Sequence, residues 1–107
     1  MLEGFLYQVV TKEEGSAVVR LLPECPIYQA HFPTFPITPG VTLVQIALEL
    51  MGKTLLSAKD VKFVEPVLPG ADGTQLRYEW TFKDNGRADV CLYLPDGTLS
   101  AKMVLGV

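Results

Sequence analysis

His31-Phe32-Pro33-Thr34-Phe35-Pro36-Ile37-Thr38-Pro39-Gly40-Val41, running straight into Thr42-Leu43-Val44-Gln45-Ile46-Ala47-Leu48-Glu49-Leu50-Met51, is the stretch that decides how this chain is read. Pro33, Pro36 and Pro39 each fix φ near −65° and push the residue before them out of the α region, so the segment is stiff before any ligand arrives. It carries His31, the single histidine of the chain. A helix follows over Val41–Met51, introduced by Pro39 and Gly40 and closed by Gly52. The free N–H groups of its first turn point back toward the loop. A base on a rigid loop beside such a terminus can remove a proton and have the resulting negative charge stabilised. Val41, Leu43, Val44, Ile46, Ala47, Leu48, Leu50 and Met51 cover most of the helix circumference, which predicts a helix buried on nearly all sides.

Outward from the helix the chain reads as strands. Phe5–Thr11 and Ser16–Leu22 are β-rich runs joined by Lys12-Glu13-Glu14-Gly15, and Pro23-Glu24-Cys25-Pro26 breaks the second run. Val61–Val64 opens a further strand, punctuated by Pro66 and Pro69. Gln75–Lys83 alternates: Leu76, Tyr78, Trp80 and Phe82 take one face and Arg77, Glu79, Thr81 and Lys83 the other, so one face is expected inside and the other in water. Asn85-Gly86 and Asp96-Gly97 are two-residue hairpin signals, which makes Gln75–Val107 a three-stranded antiparallel meander. No internal repeat or low-complexity segment interrupts the pattern. One α+β domain over residues 1–107 is expected.

Composition narrows the function classes. The 107 residues are 49% hydrophobic and 20% charged with a net charge of −3. That is enough apolar material for one core, yet a chain this short leaves burial incomplete when alone, so an oligomer is expected. No Lys/Arg cluster marks a nucleic-acid footprint. The start Met1-Leu2-Glu3-Gly4 has neither the basic region nor the apolar run of a signal peptide, and the Val41–Met51 run falls short of the ~20 apolar residues of a membrane span. A soluble cytoplasmic protein is expected. Cys25 and Cys91 lack metal-ligand spacing and are expected as reduced thiols, with no metal site.

The His31–Val41 segment resembles the H-F-P-x-x-P-I-x-P-G-V signature of hot-dog-fold 3-hydroxyacyl-acyl-carrier-protein dehydratases of the FabZ and FabA type. Phe63-Val64-Glu65-Pro66-Val67-Leu68-Pro69-Gly70 is similar to that family's F-x-x-P-V-x-P-G-D element, with Ala71 intervening before Asp72. The resemblance implies a curved antiparallel sheet wrapped around one central helix, paired into homodimers or higher oligomers with an acyl tunnel between subunits. It implies that His31 is the catalytic base, taking the α-proton of a 3-hydroxyacyl thioester, and that the Gly40 amide binds the thioester carbonyl, with Phe32, Pro39 and Val41 also lining the substrate site. The substrate would be held on the phosphopantetheine of acyl carrier protein or coenzyme A, with no dissociable cofactor and no membrane or nucleic-acid partner. Arg20, Lys53, Lys59 and Lys62 are candidates for a basic patch facing an acidic carrier.

One position departs from the family pattern. Fourteen residues after the histidine the family has a Glu or Asp that protonates the departing hydroxyl, and one helical turn later usually a Gln. Here these are Gln45 and Glu49. An amide cannot deliver a proton at neutral pH, whereas residues at i and i+4 share a helix face, so Glu49 is the expected proton donor beside Gln45. The bland alternatives are that Glu49 faces solvent or pairs with Lys53, that Gln45 is a hydrogen-bonded amide without a chemical role, and that Gly40 only supplies backbone freedom. Dehydration to trans-2-enoyl thioesters, in fatty acid or specialised lipid and polyene synthesis, is the leading expectation. A hot-dog thioesterase, or a non-catalytic acyl-binding subunit that has lost its acid, are the alternatives.

Overall fold

The computed structural model describes residues 1–30 and 36–107; His31 and Phe32 lie outside them. Six strands form one sheet: β1 (Tyr7–Glu13), β2 (Ser16–Leu21), β3 (Ser57–Phe63), β4 (Gln75–Lys83), β5 (Arg87–Tyr93) and β6 (Leu99–Gly106). Their order is β1-β2-β4-β5-β6-β3, with every neighbouring pair antiparallel. A short helix α1 (Ile27–Ala30) follows the Pro23–Pro26 break, and the long helix α2 (Gly40–Met51) precedes β3. Hairpins suffice for β1–β2 and for β4–β5–β6. The sheet places β3 at the far edge beside β6, so residues 64–74 must cross back over it to reach β4.

The core is the meeting of the sheet's inner face with α2. Leu21, Leu76, Val90, Leu92, Met103 and Leu105 from the strands pack with Leu43, Ile46, Ala47 and Leu50 of the helix, all buried. Each such aliphatic side chain contributes about 1.5–3 kcal/mol on leaving water, and together they fix which way the helix faces. The buried Tyr78 hydroxyl donates to the Leu43 carbonyl at 2.8 Å, adding a polar stitch between β4 and α2. Burial holds the Tyr78 phenol well above its ordinary pKa, so it remains a donor. Gly52 ends α2 in the left-handed region at φ 67°, with its amide on Glu49 O and that of Lys53 on Leu48 O. A single long helix cradled by a curved antiparallel sheet is the hot-dog architecture.

Several expectations from the sequence need correction. The helix is not enclosed: Val41 is 76% exposed, Gln45 is exposed, and Val44 and Glu49 are half-buried. This leaves an open stripe down one side. On β4, Leu76 and Tyr78 are buried, but Trp80 is half-buried and Phe82 is exposed, because α2 covers only the first half of the strand. β3 begins at Ser57, four residues before the expected start. Its Ser57-Ala58-Lys59-Asp60 half is exposed on an edge, so no alternation betrayed it. The β4–β5 connection has three residues between the paired Lys83 and Arg87 rather than two, with Asn85 at φ 66° and Gly86 at φ 72° carrying the left-handed turn.

Candidate functional site

The start of α2 is held by the loop before it. Thr38 is buried, its amide donating to Val67 O at 2.8 Å and its hydroxyl 3.0 Å from that of Tyr28. These contacts tie the loop to α1 and to the crossover. The Pro39 carbonyl then accepts from the Thr42 hydroxyl at 2.6 Å and from the Thr42 and Leu43 amides at 3.0 and 3.3 Å. The helix has no side-chain N-cap. Its first two amides, of Gly40 and Val41, are therefore the donors left over for a ligand among the described residues.

The Gly40 amide stands at a cleft of about 360 Å³ between the helix start and the crossover, lined by Ile37, Thr38, Gly40, Leu43 and residues 63–67. Its walls are mainly apolar, from Ile37, Leu43, Phe63, Val64 and Val67. Among the described residues of the lining Glu65 is the one ionisable group, its backbone fixed by its amide on Ser100 O and by the Ser100 hydroxyl on its own carbonyl. The crossover that the second sequence motif occupies is thus a wall of the cleft that begins at the first motif. Pro39 and Val41 flank Gly40, and Val41 opens to solvent rather than lining the cleft.

Gly40 has a steric reason to be glycine. A Cβ built on it would lie 2.7 Å from Cζ and 2.8 Å from Cε2 of Phe63, closer than real Cβ contacts. Its φ is not positive, so backbone freedom is not what the position demands. Phe63, which the sequence supplied only as part of a motif, covers the helix start and is itself 48% exposed.

Glu49 and Gln45 are neighbours as i,i+4 spacing requires, with Gln45 Nε2 donating to Glu49 Oε2 at 3.0 Å. The rest of the Glu49 environment was not legible. Its carboxylate also accepts from the Leu2 amide at 2.8 and 3.1 Å, the Glu3 amide at 3.2 Å and the Tyr7 hydroxyl at 2.8 Å. Burial alone would raise the Glu49 pKa, but the hydrogen bonds from Leu2, Gln45, Tyr7 and Glu3 outweigh it and hold the carboxyl below its ordinary value. Tyr7 is pushed far up by burial and by the Glu49 carboxylate, so it stays protonated and donating. A carboxylate so held is bound to the N-terminal segment as well as to its helix neighbour Gln45. It does not pair with Lys53, whose ammonium lies 5.4 Å from the Phe82 ring centroid. Tyr7 and the Leu2 amide are 42 and 47 residues from Glu49, a separation at which no local pattern signals contact.

The candidate basic residues do not gather into one donor set. Arg20 is engaged with the Asp72 carbonyl and the Gln8 side chain, and Lys59 and Lys62 lie on edge strand β3. A second cleft, of about 410 Å³, lies at the β5–β6 turn and contains none of the sequence-derived site residues. Arg77 there is paired with Glu79 at 3.2 Å and stacked on Tyr93. Among the described residues no group of His, Cys, Asp and Glu could hold a metal ion, both cysteines are free, and no helix is long and apolar enough to cross a membrane.

Comparison with known proteins connects this geometry to a chemistry. Residues 8–92 match the family model described as ApeI-like, ApeI dehydratase. The chain is similar to the 3-hydroxyacyl-[acyl-carrier-protein] dehydratase FabZ of Clostridioides difficile, 32% identical over 54 residues covering 50% of this chain and 38% of that enzyme. It is also similar to FabZ of Paramagnetospirillum magneticum, 25% identical over 91% of this chain and 67% of that one. The first of these matches thus spans well under half the length of the curated enzyme. Among solved structures, a hypothetical thioesterase from Streptococcus pneumoniae TIGR4, determined with coenzyme A, superimposes with a TM-score of 0.57 at 14% identity, covering 92% of this chain and 81% of that one. That likeness is one of fold.

Proposed function

The chain belongs to the ApeI-like family of dehydratases, and on that premise we propose that it interconverts 3-hydroxyacyl and trans-2-enoyl thioesters carried on phosphopantetheine. The observation that carries the reading is the placement of the unclaimed Gly40 amide at the mouth of an apolar cleft, at the end of the His31 motif. The thioester oxygen accepts from the Gly40 amide, and the cleft walls take apolar parts of the substrate. His31, which lies outside the described residues, removes the C2 proton. Negative charge then moves onto the thioester oxygen, where the helix N-terminus stabilises it. As the C3–O bond breaks, the His31 imidazolium returns the same proton to the departing oxygen. Water leaves, the double bond forms between C2 and C3, and the imidazole is regenerated without a separate acid or a redox cofactor.

The open stripe of α2 and the adjoining edge favour a homodimer. Val41, Phe63 and Val64 are large apolar residues left exposed next to edge strand β3, and pairing that edge with a second copy would cover them and complete the tunnel. The substrate enters on acyl carrier protein or coenzyme A, in the cytoplasm, with a role in fatty acid or related lipid synthesis. Incubating the protein with trans-2-enoyl and 3-hydroxyacyl thioesters and following both by mass spectrometry tests the reading. Interconversion that His31→Ala abolishes supports it, and free thiol in place of interconversion refutes it.

One observation favours a second reading, thioester hydrolysis: Glu65 lines the cleft and could activate water against a carbonyl held at Gly40. In that case Glu65→Gln removes thiol release, whereas it leaves enoyl hydration intact if the first reading holds.

A further inference from the structure

We propose that Tyr28 is a positioning residue for the dehydration proposed above, on which its role rests: its hydroxyl, bonded to that of Thr38, sets His31 and the Gly40 amide in register. The two hydroxyls lie 3.0 Å apart, and both side chains are buried, Tyr28 at 2% and Thr38 at 3% exposure. Tyr28 belongs to α1, which ends at Ala30, the residue before His31 in the chain. Thr38 lines the cleft and stands two residues before Gly40. The hydroxyl pair therefore joins the element that leads into the base to the residue that leads into the carbonyl-binding amide.

Both sides of this junction are themselves fixed. In α1 the amides of Tyr28 and Gln29 donate to the Cys25 and Pro26 carbonyls. The Thr38 amide donates to Val67 O at 2.8 Å, which alone leaves the segment free to turn about one bond. A second bond, made by the side chain to a different element, removes that freedom. Pro39 follows at φ −61° and ψ 138°, its carbonyl taken by Thr42 and Leu43, so the placement of Thr38 is passed to Gly40. The hydroxyls supply direction rather than volume. Phenylalanine and valine would fill the same space, and a neutral hydrogen bond adds little net stability to a core. What it adds is a preference for one arrangement, because its energy falls steeply with distance and angle while apolar contacts tolerate sliding. A base and a carbonyl donor acting on adjacent carbons of one substrate need that placement. Tyr28 itself is not part of the cleft lining and transfers no proton.

Hydration of a trans-2-enoyl pantetheine thioester, followed by loss of enoyl absorbance, is the test. Tyr28→Phe and Thr38→Val are each expected to lower kcat about tenfold with KM unchanged. That is less than the roughly hundredfold or greater cost of deleting an oxyanion donor, because the amide remains and only its alignment loosens. Tyr28→Phe/Thr38→Val is expected to lose no more than either single variant, the sign of one shared interaction. With both hydroxyls gone neither is left buried and unpaired, so the double variant should melt close to wild type while kcat stays low. Returning the hydroxyl as Thr38→Ser should recover the kcat lost in Thr38→Val. Wild-type kcat in the single variants, a change confined to KM, losses that multiply in the double variant, a kcat that recovers with its stability, or no recovery with serine overturns the proposal and spares the dehydratase reading. A wild type that does not interconvert the thioesters overturns both.

Discussion

Replacing Glu49 by alanine should destabilise the fold far more than removal of a half-buried surface carboxylate ordinarily does. Four donor groups converge on it, and the loss can be apportioned among them. The Glu3 amide and Gln45 side chain are exposed and pass to water at little cost. The Leu2 amide and the Tyr7 hydroxyl are partly buried, and hydrogen bonds of such groups to a charged acceptor are worth about 1.5 kcal/mol or more each. The expected loss is about 3 kcal/mol, which in a chain of this length lowers Tm by roughly 12–20 °C. Thermal unfolding at pH 7 followed by circular dichroism measures it, and a variant melting within about 3 °C of wild type refutes the clasp. The pH dependence supplies an independent check. The carboxyl titrates at about 4.5 when unfolded and lower when folded, so its contribution is complete above that value and disappears as pH falls through the folded pKa. Wild type and Glu49→Gln should therefore converge in stability as pH falls below about 4.5 and through the lower folded-state pKa. Asp89 and Asp96, also held low by their hydrogen bonds from Arg87 and the Thr98 amide, add acid sensitivity common to both proteins. Parallel curves would mean that Glu49 is not held as described.

Gly40→Ala drives a methyl into the Phe63 ring and should cost about 1–2 kcal/mol, offset in part by alanine's better helix propensity; Phe63→Ala made alongside should remove the penalty, and a Gly40→Ala protein already as stable as wild type shows that the ring does not lie there. Gln45→Glu places two carboxyls side by side, raising one pKa so that a proton is retained nearer neutrality; thioester dehydration should rise by about tenfold or more with an optimum shifted to lower pH, and unchanged kinetics would mean that position 45 does not reach the substrate. Asn85→Ala should cost about 1 kcal/mol and Asn85→Gly nothing, since the residue sits at φ 66°; equal chemical-denaturation midpoints for the two variants would contradict the turn geometry. If the proposed homodimer forms through this edge, Phe63→Lys should weaken it toward monomer in light scattering, and a dimer of unchanged affinity would place the subunit interface elsewhere.

The sequence by itself determined the elements whose causes are local. The three prolines, the apolar run and Gly52 bound α2 to within one residue of Gly40–Met51, and the two-residue alternation bounded β4 at Gln75–Lys83 without error. Residues of both motifs also line one cleft at the start of α2, and each motif is legible because glycine and proline spacing is a local property of the chain. Edge strand β3 was half missed for the converse reason: a strand exposed on nearly all its residues has no inside-outside alternation to read. Only the tertiary structure decided what the side chains on the helix are free to do. Glu49 reads in the sequence as a carboxyl with only helix neighbours until the fold brings Leu2 and Tyr7 against it, and Gly40 looks like a flexible joint until Phe63 is found where its Cβ would be. A carboxyl's protonation and a glycine's necessity depend on what surrounds them, and those surroundings exist only once the chain has closed on itself.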